Sequence, residues 1–124
     1  MKARIAAAFV LVGVLGSGAA MAEGGDGNEL IKQCTDGVRH MDGGKANSFF
    51  DIGHCLGLTQ GVRQTLIIVD DDQPKIYKTC IPESITNGQG MRIVLKYLQD
   101  NPDKLHESEA ILVYLAYRKA FPCK

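Results

Sequence analysis

Apolar residues recur at steps of three and four in the middle of the chain and predict a long amphipathic helix. Its buried stripe is formed by Ile52, Cys55, Thr59, Val62, Leu66 and Val69. Residues with this period lie on one side of a helix. Ser48 is a good N-cap, so we predict a helix from Ser48 to about Val69. Residues 66–69 also favour a β-strand, so the sequence leaves the end of this helix open.

Three glycines, Gly53, Gly57 and Gly61, lie on a second stripe of the same predicted helix. Each glycine costs a helix about 1 kcal/mol relative to alanine. Three of them at a spacing of four indicate that another backbone packs unusually close there. The alternative is that this segment is not a single helix.

Caps and apolar spacing predict further helices on either side. A short first helix is predicted to begin with Asn28 as its cap and to end near residue 34, followed by a loop over residues 35–47. Thr86 and Gln89 form a capping box at the start of a third helix, which Asn101-Pro102 ends.

The fourth helix is predicted to begin near His106 or Glu107 and to end at Phe121-Pro122. It is apolar nearly all round, through Ala110, Ile111, Leu112, Val113, Tyr114, Leu115, Tyr117 and Ala120. Such a helix is either central to the fold or covered by a partner. We expect it to supply an apolar dimer contact, with a purely central position as the alternative. Together these elements predict an all-α fold, a small disulfide-braced bundle of about four helices.

The first 22 residues have the pattern of a secretory signal peptide. Lys2 and Arg4 precede an apolar run over residues 5–15, and small residues follow as far as Ala22. A membrane span needs about 20 apolar residues, so an anchor is disfavoured and cleavage after Ala22 is expected. The remaining residues, 23–124, are enough for one domain, which we expect to be exported and free of the membrane.

Charge argues against two classes of partner. Without Lys2 and Arg4 the chain has 12 basic and 14 acidic residues, a net charge of about −2. Proteins that bind nucleic acid usually carry a basic patch, and anionic membrane surfaces attract basic segments. We therefore expect neither partner.

The four cysteines all lie in the part that remains after cleavage, and they are Cys34, Cys55, Cys80 and Cys123. An even number in a small exported chain predicts two disulfides. No C-x-x-C pair is present, so a metal or another cofactor is not expected. Helices three and four run antiparallel across a short turn, which brings Cys80 and Cys123 to the same end. We predict the pairs Cys80–Cys123 and Cys34–Cys55.

Residues 70–83 form a long connection that begins with three acidic side chains. Asp70-Asp71-Asp72 followed by Gln73-Pro74 does not easily continue a helix, and Cys80 and Pro82 fix the far end. Connections longer than about 12 residues in compact domains are usually functional or disordered. We predict that a partner protein is bound by Asp70, Asp71, Asp72 and Gln73, with a solvated loop as the alternative.

The sequence offers no arrangement of residues that predicts catalysis. His54 and Cys55 are neighbours on one helix and point about 100° apart, so they cannot act together as base and nucleophile. His40 is predicted to lie in a loop and His106 at a helix start, where surface or capping roles are usual. We therefore expect a binding protein and not an enzyme.

Short motifs occur in a fixed order along residues 28–124. They read Cys-Leu-Gly-Leu-Thr-Gln-Gly-Val from Cys55, Cys-Ile-Pro from Cys80, and Phe-Pro-Cys at residues 121–123. Together they resemble the motifs of the Rap/Tai family of type VI secretion immunity proteins. The chain departs from the family pattern at Leu58, where an aromatic residue is usual, and at the extra glycine Gly90.

This resemblance implies an all-helical periplasmic protein, often a homodimer, that occludes the substrate groove of a peptidoglycan-cleaving amidase effector. The residues that match the family motifs have structural roles on this reading, and beside the four cysteines they are Gly57, Gly61 and Pro82. One alternative is a small periplasmic stress chaperone, which would expose apolar surface on acidification. Another is a cysteine-dependent hydrolase, which would need a free thiol.

Overall fold

The computed structural model describes residues 24–124, and the predicted signal peptide lies outside them. Within this range the chain forms four α-helices: α1 (Gly27–Met41), α2 (Phe49–Val69), α3 (Asn87–Asp100) and α4 (Glu109–Ala120). Short 3₁₀ turns, Asp70–Asp72 and Pro102–Lys104, follow α2 and α3. Residues 24–124 contain two isolated β-bridges and no strand, which confirms the predicted all-α bundle. No helix in this range is long and apolar enough to cross a membrane.

Helix α1 begins earlier and ends later than the sequence predicted. Its cap is Asp26 and not Asn28, because the Asp26 carboxylate accepts a hydrogen bond from the Glu29 backbone N–H at 3.0 Å. The helix continues through the first half of the predicted loop, as far as Met41, and buries Gly37 against α3. A Cβ at Gly37 would lie 3.3 Å from Met91 Sδ, so the glycine lets the two helices approach closely.

The predicted caps of α2 and α3 are confirmed. The Ser48 hydroxyl accepts a hydrogen bond from the Asp51 backbone N–H at 3.2 Å, and α2 is a single helix as far as Val69. At α3, the Thr86 hydroxyl accepts from the Gln89 N–H at 3.2 Å, and the Gln89 side chain accepts from the Thr86 N–H at 2.8 Å. Local side chains therefore satisfy the first backbone donors of both helices.

The core is built around the disulfide Cys34–Cys55, which joins α1 to α2. Neither cysteine is exposed to solvent. The buried side chains of the same cluster come from all four helices and include Leu30, Met91, Val94, Leu98, Leu112, Val113, Ala116 and Tyr117. A bridge of this kind typically stabilises a small domain by about 2–4 kcal/mol.

The second disulfide, Cys80–Cys123, ties the segment before α3 to the segment after α4, so both predicted pairings are present. Two contacts extend this tie. The Cys80 backbone N–H donates to the Phe121 carbonyl at 2.8 Å, and Thr79 forms a β-bridge with Pro122.

The buried stripe of α2 contains an arginine that the apolar pattern does not reveal. Arg63 is 8% exposed, and its guanidinium donates to the Ile85 carbonyl at 3.0 Å and to Asn87 Oδ1 at 2.9 Å. It thus joins α2 to the start of α3. Val69, predicted to be buried, is 38% exposed, because the stripe passes from Leu66 to the buried Asp70 four residues on.

The glycine stripe of α2 does not pack against another backbone, so that prediction is wrong within the single chain. Among residues 24–124, no atom outside the local helix would lie within 4 Å of a Cβ at Gly53, Gly57 or Gly61. The tight glycine lies on α3 instead, where a Cβ at Gly90 would be 2.6 Å from the Tyr117 hydroxyl oxygen. That hydroxyl donates to the Thr59 carbonyl at 3.2 Å, so Tyr117 passes over Gly90 to reach α2.

Helix α4 places most of its apolar side chains inside the bundle. Leu112, Val113, Ala116 and Tyr117 are buried, while Tyr114 and Leu115 pack partly against the core. Ile111, at 49% exposure, is the large apolar side chain of α4 that remains exposed. The central position that was the alternative for this helix therefore accounts for nearly all of its apolar character.

We predict opposite effects for alanine at two of these glycines. Gly53→Ala adds a methyl group to open space and removes the helix cost of glycine, so it should raise the free energy of unfolding by about 1 kcal/mol. Gly90→Ala places its methyl group against the Tyr117 hydroxyl and should lower that free energy by about 1–3 kcal/mol. Urea denaturation at low protein concentration measures both, and equal stability of the two variants would contradict this packing.

Candidate partner-binding surfaces

The acidic connection begins as a continuation of α2 and folds back on itself. Asp70 is 9% exposed, and its carboxylate accepts hydrogen bonds from the Thr79 backbone N–H at 2.9 Å and the Thr79 hydroxyl at 2.6 Å. The structure thus places Asp70 in an internal contact, because its carboxylate satisfies polar groups nine residues away. Of the four side chains predicted to bind a partner, Asp71, Asp72 and Gln73 are exposed.

The outer part of this connection is held against α4. The Arg118 guanidinium donates to the Ile76 carbonyl at 2.6 Å. It also lies 5.8 Å from the centre of the Tyr77 ring and 5.5 Å from that of Tyr114, within the range of a cation–π interaction. With Cys80–Cys123 at its far end, the connection is an ordered projection and not a free loop.

Acidic and apolar side chains are both exposed on this projection. Ile76 is 66% exposed and Tyr77 is 49% exposed. Residues 71–77 are all exposed, and we call five of their side chains the connection surface: Asp71, Asp72, Gln73, Ile76 and Tyr77. An apolar centre with polar neighbours is the usual composition of a protein–protein interface.

A buried carboxylate orders the loop between α1 and α2. Asp36 is 3% exposed, and it accepts hydrogen bonds from the Ser48 backbone N–H at 2.8 Å, the Asn47 N–H at 3.0 Å and Arg39 at 3.0 Å. The backbone N–H groups of Ser48 and Asn47 hold the pKa of the Asp36 carboxyl below its ordinary value. This end of α1 and the loop present the exposed side chains Arg39, His40 and Lys45.

A groove with a volume of about 340 Å³ lies at the start of α3. Its walls are mainly apolar, with Ile85, Ile93 and Phe121 among the lining residues and Arg92 at one side. Pro82, which the sequence predicted to be structural, lines this groove and is exposed. The groove adds apolar surface near the end of the connection.

His54 pairs with a carboxylate that the sequence did not predict to be buried. His54 Nε2 lies 2.9 Å from Glu109 Oε2, and Glu109 is 7% exposed. Glu109 lies in the first turn of α4, where its charge also favours the helix dipole. Its spacing from Leu112, Val113 and Ala116 was the available signal, because these positions share one stripe of α4. The pair connects α2 to α4.

The cysteine-dependent alternative is contradicted by the disulfides. Every cysteine sulfur is bonded to another, so the chain has no free thiol to act as a nucleophile. Residues 24–124 contain no cluster of three or more histidine, cysteine, aspartate or glutamate side chains that could hold a metal ion.

The side of α2 that faces away from the bundle carries no charge. We call it the outer face, and it consists of Phe50, Gly53, Gly57, Gly61, Gln64 and Ile68. Phe50 is 73% exposed and Ile68 is 75% exposed. Gly57 and Gly61, which the sequence predicted to be structural, lie at its centre. Exposed apolar surface of this kind is typical of an interaction site.

Comparison with known proteins identifies a family that matches most of the chain. A family model described as Rap1a immunity proteins matches residues 26–123. No curated protein and no solved structure matches the chain. The matched range contains all four helices, both disulfides and each of the surfaces described above.

We predict that Asp36→Asn lowers stability in a pH-dependent way. The folded pKa of this carboxyl is below its ordinary value of 3.8, so the charged form stabilises the fold above about that pH. This stabilisation is lost as the pH falls through the folded pKa. The variant should therefore unfold at lower urea concentration than the parent at pH 7, and the difference should shrink below pH 3.8. A difference that stays constant with pH would contradict a role for the charge.

Asp70→Ala should loosen the connection. It leaves the buried Thr79 N–H without its acceptor, which should lower the free energy of unfolding by about 1–3 kcal/mol. Limited proteolysis should cut residues 71–79 faster than in the parent. Asp71→Ala is the matched control because Asp71 is exposed, and equal proteolysis of the two variants would show that the Asp70 contact does not order the connection.

Proposed function

Because the chain belongs to the family of Rap1a immunity proteins, we propose that it protects the cell that makes it by occluding a toxic enzyme. The enzyme in this proposal is a peptidoglycan amidase delivered by type VI secretion, and the blocked site is its substrate groove. Family membership is the observation on which the proposal rests. The proposed mechanism is binding without catalysis. The exposed uncharged and acidic surfaces of a rigid bundle support that mechanism.

We place this activity in the periplasm, where peptidoglycan lies. Two disulfides in a chain of this size support an oxidising compartment, since such bonds are rare in the cytosol. The N-terminal pattern of basic, apolar and small residues supports export. Residues 23–124 would then act as a single domain.

The connection surface is the part of the molecule that we propose to enter the amidase groove. Its backbone is held by Thr79, Arg118 and the Cys80–Cys123 disulfide, so little conformational freedom remains to be lost on binding. Asp71 and Asp72 would complement a cationic rim and raise the association rate. Ile76 and Tyr77 would supply the apolar contact that slows dissociation.

The test uses a purified candidate amidase, sought among the genes beside this one, and follows its hydrolysis of peptidoglycan. The parent protein should inhibit hydrolysis at a stoichiometric ratio. The double variant Asp71→Asn/Asp72→Asn should associate about tenfold more slowly at low salt, and the difference should shrink at high salt as the charges are screened. Asp103→Asn, an exposed carboxylate on the turn before α4, is the matched control and should behave as the parent.

The outcomes separate the function from the surface. An amidase that is not inhibited by the parent would overturn the proposed function. Inhibition that is the same for the double variant and the parent would leave the function standing and move the contact elsewhere. A chaperone would instead suppress the aggregation of an unrelated unfolded protein, which the immunity protein should not do.

The resemblance to the Rap/Tai family also implies a homodimer, and we include this state in the proposal. Helix α4, which was expected to supply the contact, exposes Ile111 alone among its large apolar side chains. The outer face of α2 exposes more apolar surface than α4 does, through Phe50 and Ile68.

A further inference from the structure

We propose that two copies of the chain pair through the outer faces of their α2 helices, antiparallel, about a two-fold axis that passes between Gly57 and Gly61. This inference rests on the proposed homodimer and assigns its contact to α2 instead of α4. The occupant of the outer face is therefore a second copy of this chain.

The spacing of residues on the outer face is symmetric about its centre. Phe50 lies seven residues before Gly57, and Ile68 lies seven residues after Gly61. At 1.5 Å per residue, each of the two bulky side chains is about 14 Å from the midpoint of the helix segment. An antiparallel copy therefore places Phe50 opposite Ile68 of the second copy, and the same contact occurs twice. This is the self-complementarity that a two-fold contact requires, and a different partner would have no need of it.

The glycines lie where the two helices would cross. A Cβ at Gly57 or Gly61 would meet no atom within 4 Å in residues 24–124, so the fold of a single chain does not require glycine at either position. Glycine nevertheless costs this helix about 1 kcal/mol at each site. At a crossing point it allows the two backbones to approach to about 8 Å, at the short end of the usual range.

Charge favours an identical partner as well. The charged side chains of α2 lie off the outer face: Arg63 is buried, and Asp51 lines a surface hollow beside Lys32 on α1. Two copies of the outer face therefore meet without repulsion between like charges.

The apolar surface is large enough to be costly if it is left in water. Phe49 and Ile67 flank the outer face and are 77% and 49% exposed, beside Phe50 and Ile68 at 73% and 75%. Four such side chains expose on the order of 400 Å² in one copy, and apolar patches of this size are often functional sites. Pairing removes this surface from water in both copies.

Sedimentation of the full exported chain tests the surface with two matched substitutions. Ile68→Glu buries an unpaired charge in the proposed contact and should raise the dimer dissociation constant about 100-fold or more. Ile111→Glu makes the same change on α4 and should leave the dimer intact. Gly57→Leu should also abolish the dimer while making the single chain more resistant to urea, because the new side chain meets open space within the monomer.

Crosslinking tests the orientation. The double variant Phe50→Cys/Ile68→Cys should form a covalent dimer on mild oxidation, and peptide mapping should find position 50 of one copy joined to position 68 of the other. Neither single variant should form a covalent dimer, because identical positions are about 27 Å apart in an antiparallel pair. Crosslinking of the single variants would indicate a parallel pair and overturn the proposed register.

The remaining outcomes distinguish this inference from the proposals it rests on. A dimer that survives Ile68→Glu and is lost in Ile111→Glu would return the contact to α4 and overturn this inference alone. A parent protein that sediments only as a monomer would overturn both the dimer and its surface. Amidase inhibition is measured in a separate experiment, so neither sedimentation result decides whether the chain has the proposed protective function.

Discussion

The Cys34–Cys55 disulfide is the constraint on which the rest of the fold depends. It fixes α1 against α2 at the centre of the core, and Gly37 and Met91 then let α3 pack closely on that pair. A domain of about 100 residues buries a modest core, and a disulfide of this kind adds about 2–4 kcal/mol to its stability. With the two longest helices joined, Tyr117 of α4 can reach across α3 to the Thr59 carbonyl and close the bundle.

Three buried charged side chains then set the shape of the segments between the helices. Asp36 holds the loop before α2, Asp70 holds the connection after it, and Arg63 holds the start of α3. Each one bonds to backbone groups that no helix or strand satisfies, and so offsets the cost of burying both partners. The surfaces available to a partner are positioned by these contacts and not by the helices alone.

The parts of the structure that the sequence predicted are those that local chemistry decides. The caps at Ser48 and Thr86 and the stop at Asn101-Pro102 act within one turn, and the two disulfides followed from the order of the helices. The buried contacts of Asp70 and Glu109 could not be predicted, because the tertiary fold brings their partners, Thr79 and His54, close to them. The glycine stripe gave a wrong prediction within the chain, since a pattern of small residues does not say whether another backbone comes close.

The position of Cys123 also determines the order in which the two disulfides can form during export. A chain that enters an oxidising compartment from its N-terminus can close Cys34–Cys55 while α3 and α4 are still to come, but Cys123 follows every helix. The connection therefore receives its last fixed point only after α4 has emerged. Until then an incomplete chain has a braced α1–α2 pair and an unfixed connection, so an ordered connection reports that the whole helical domain has been delivered.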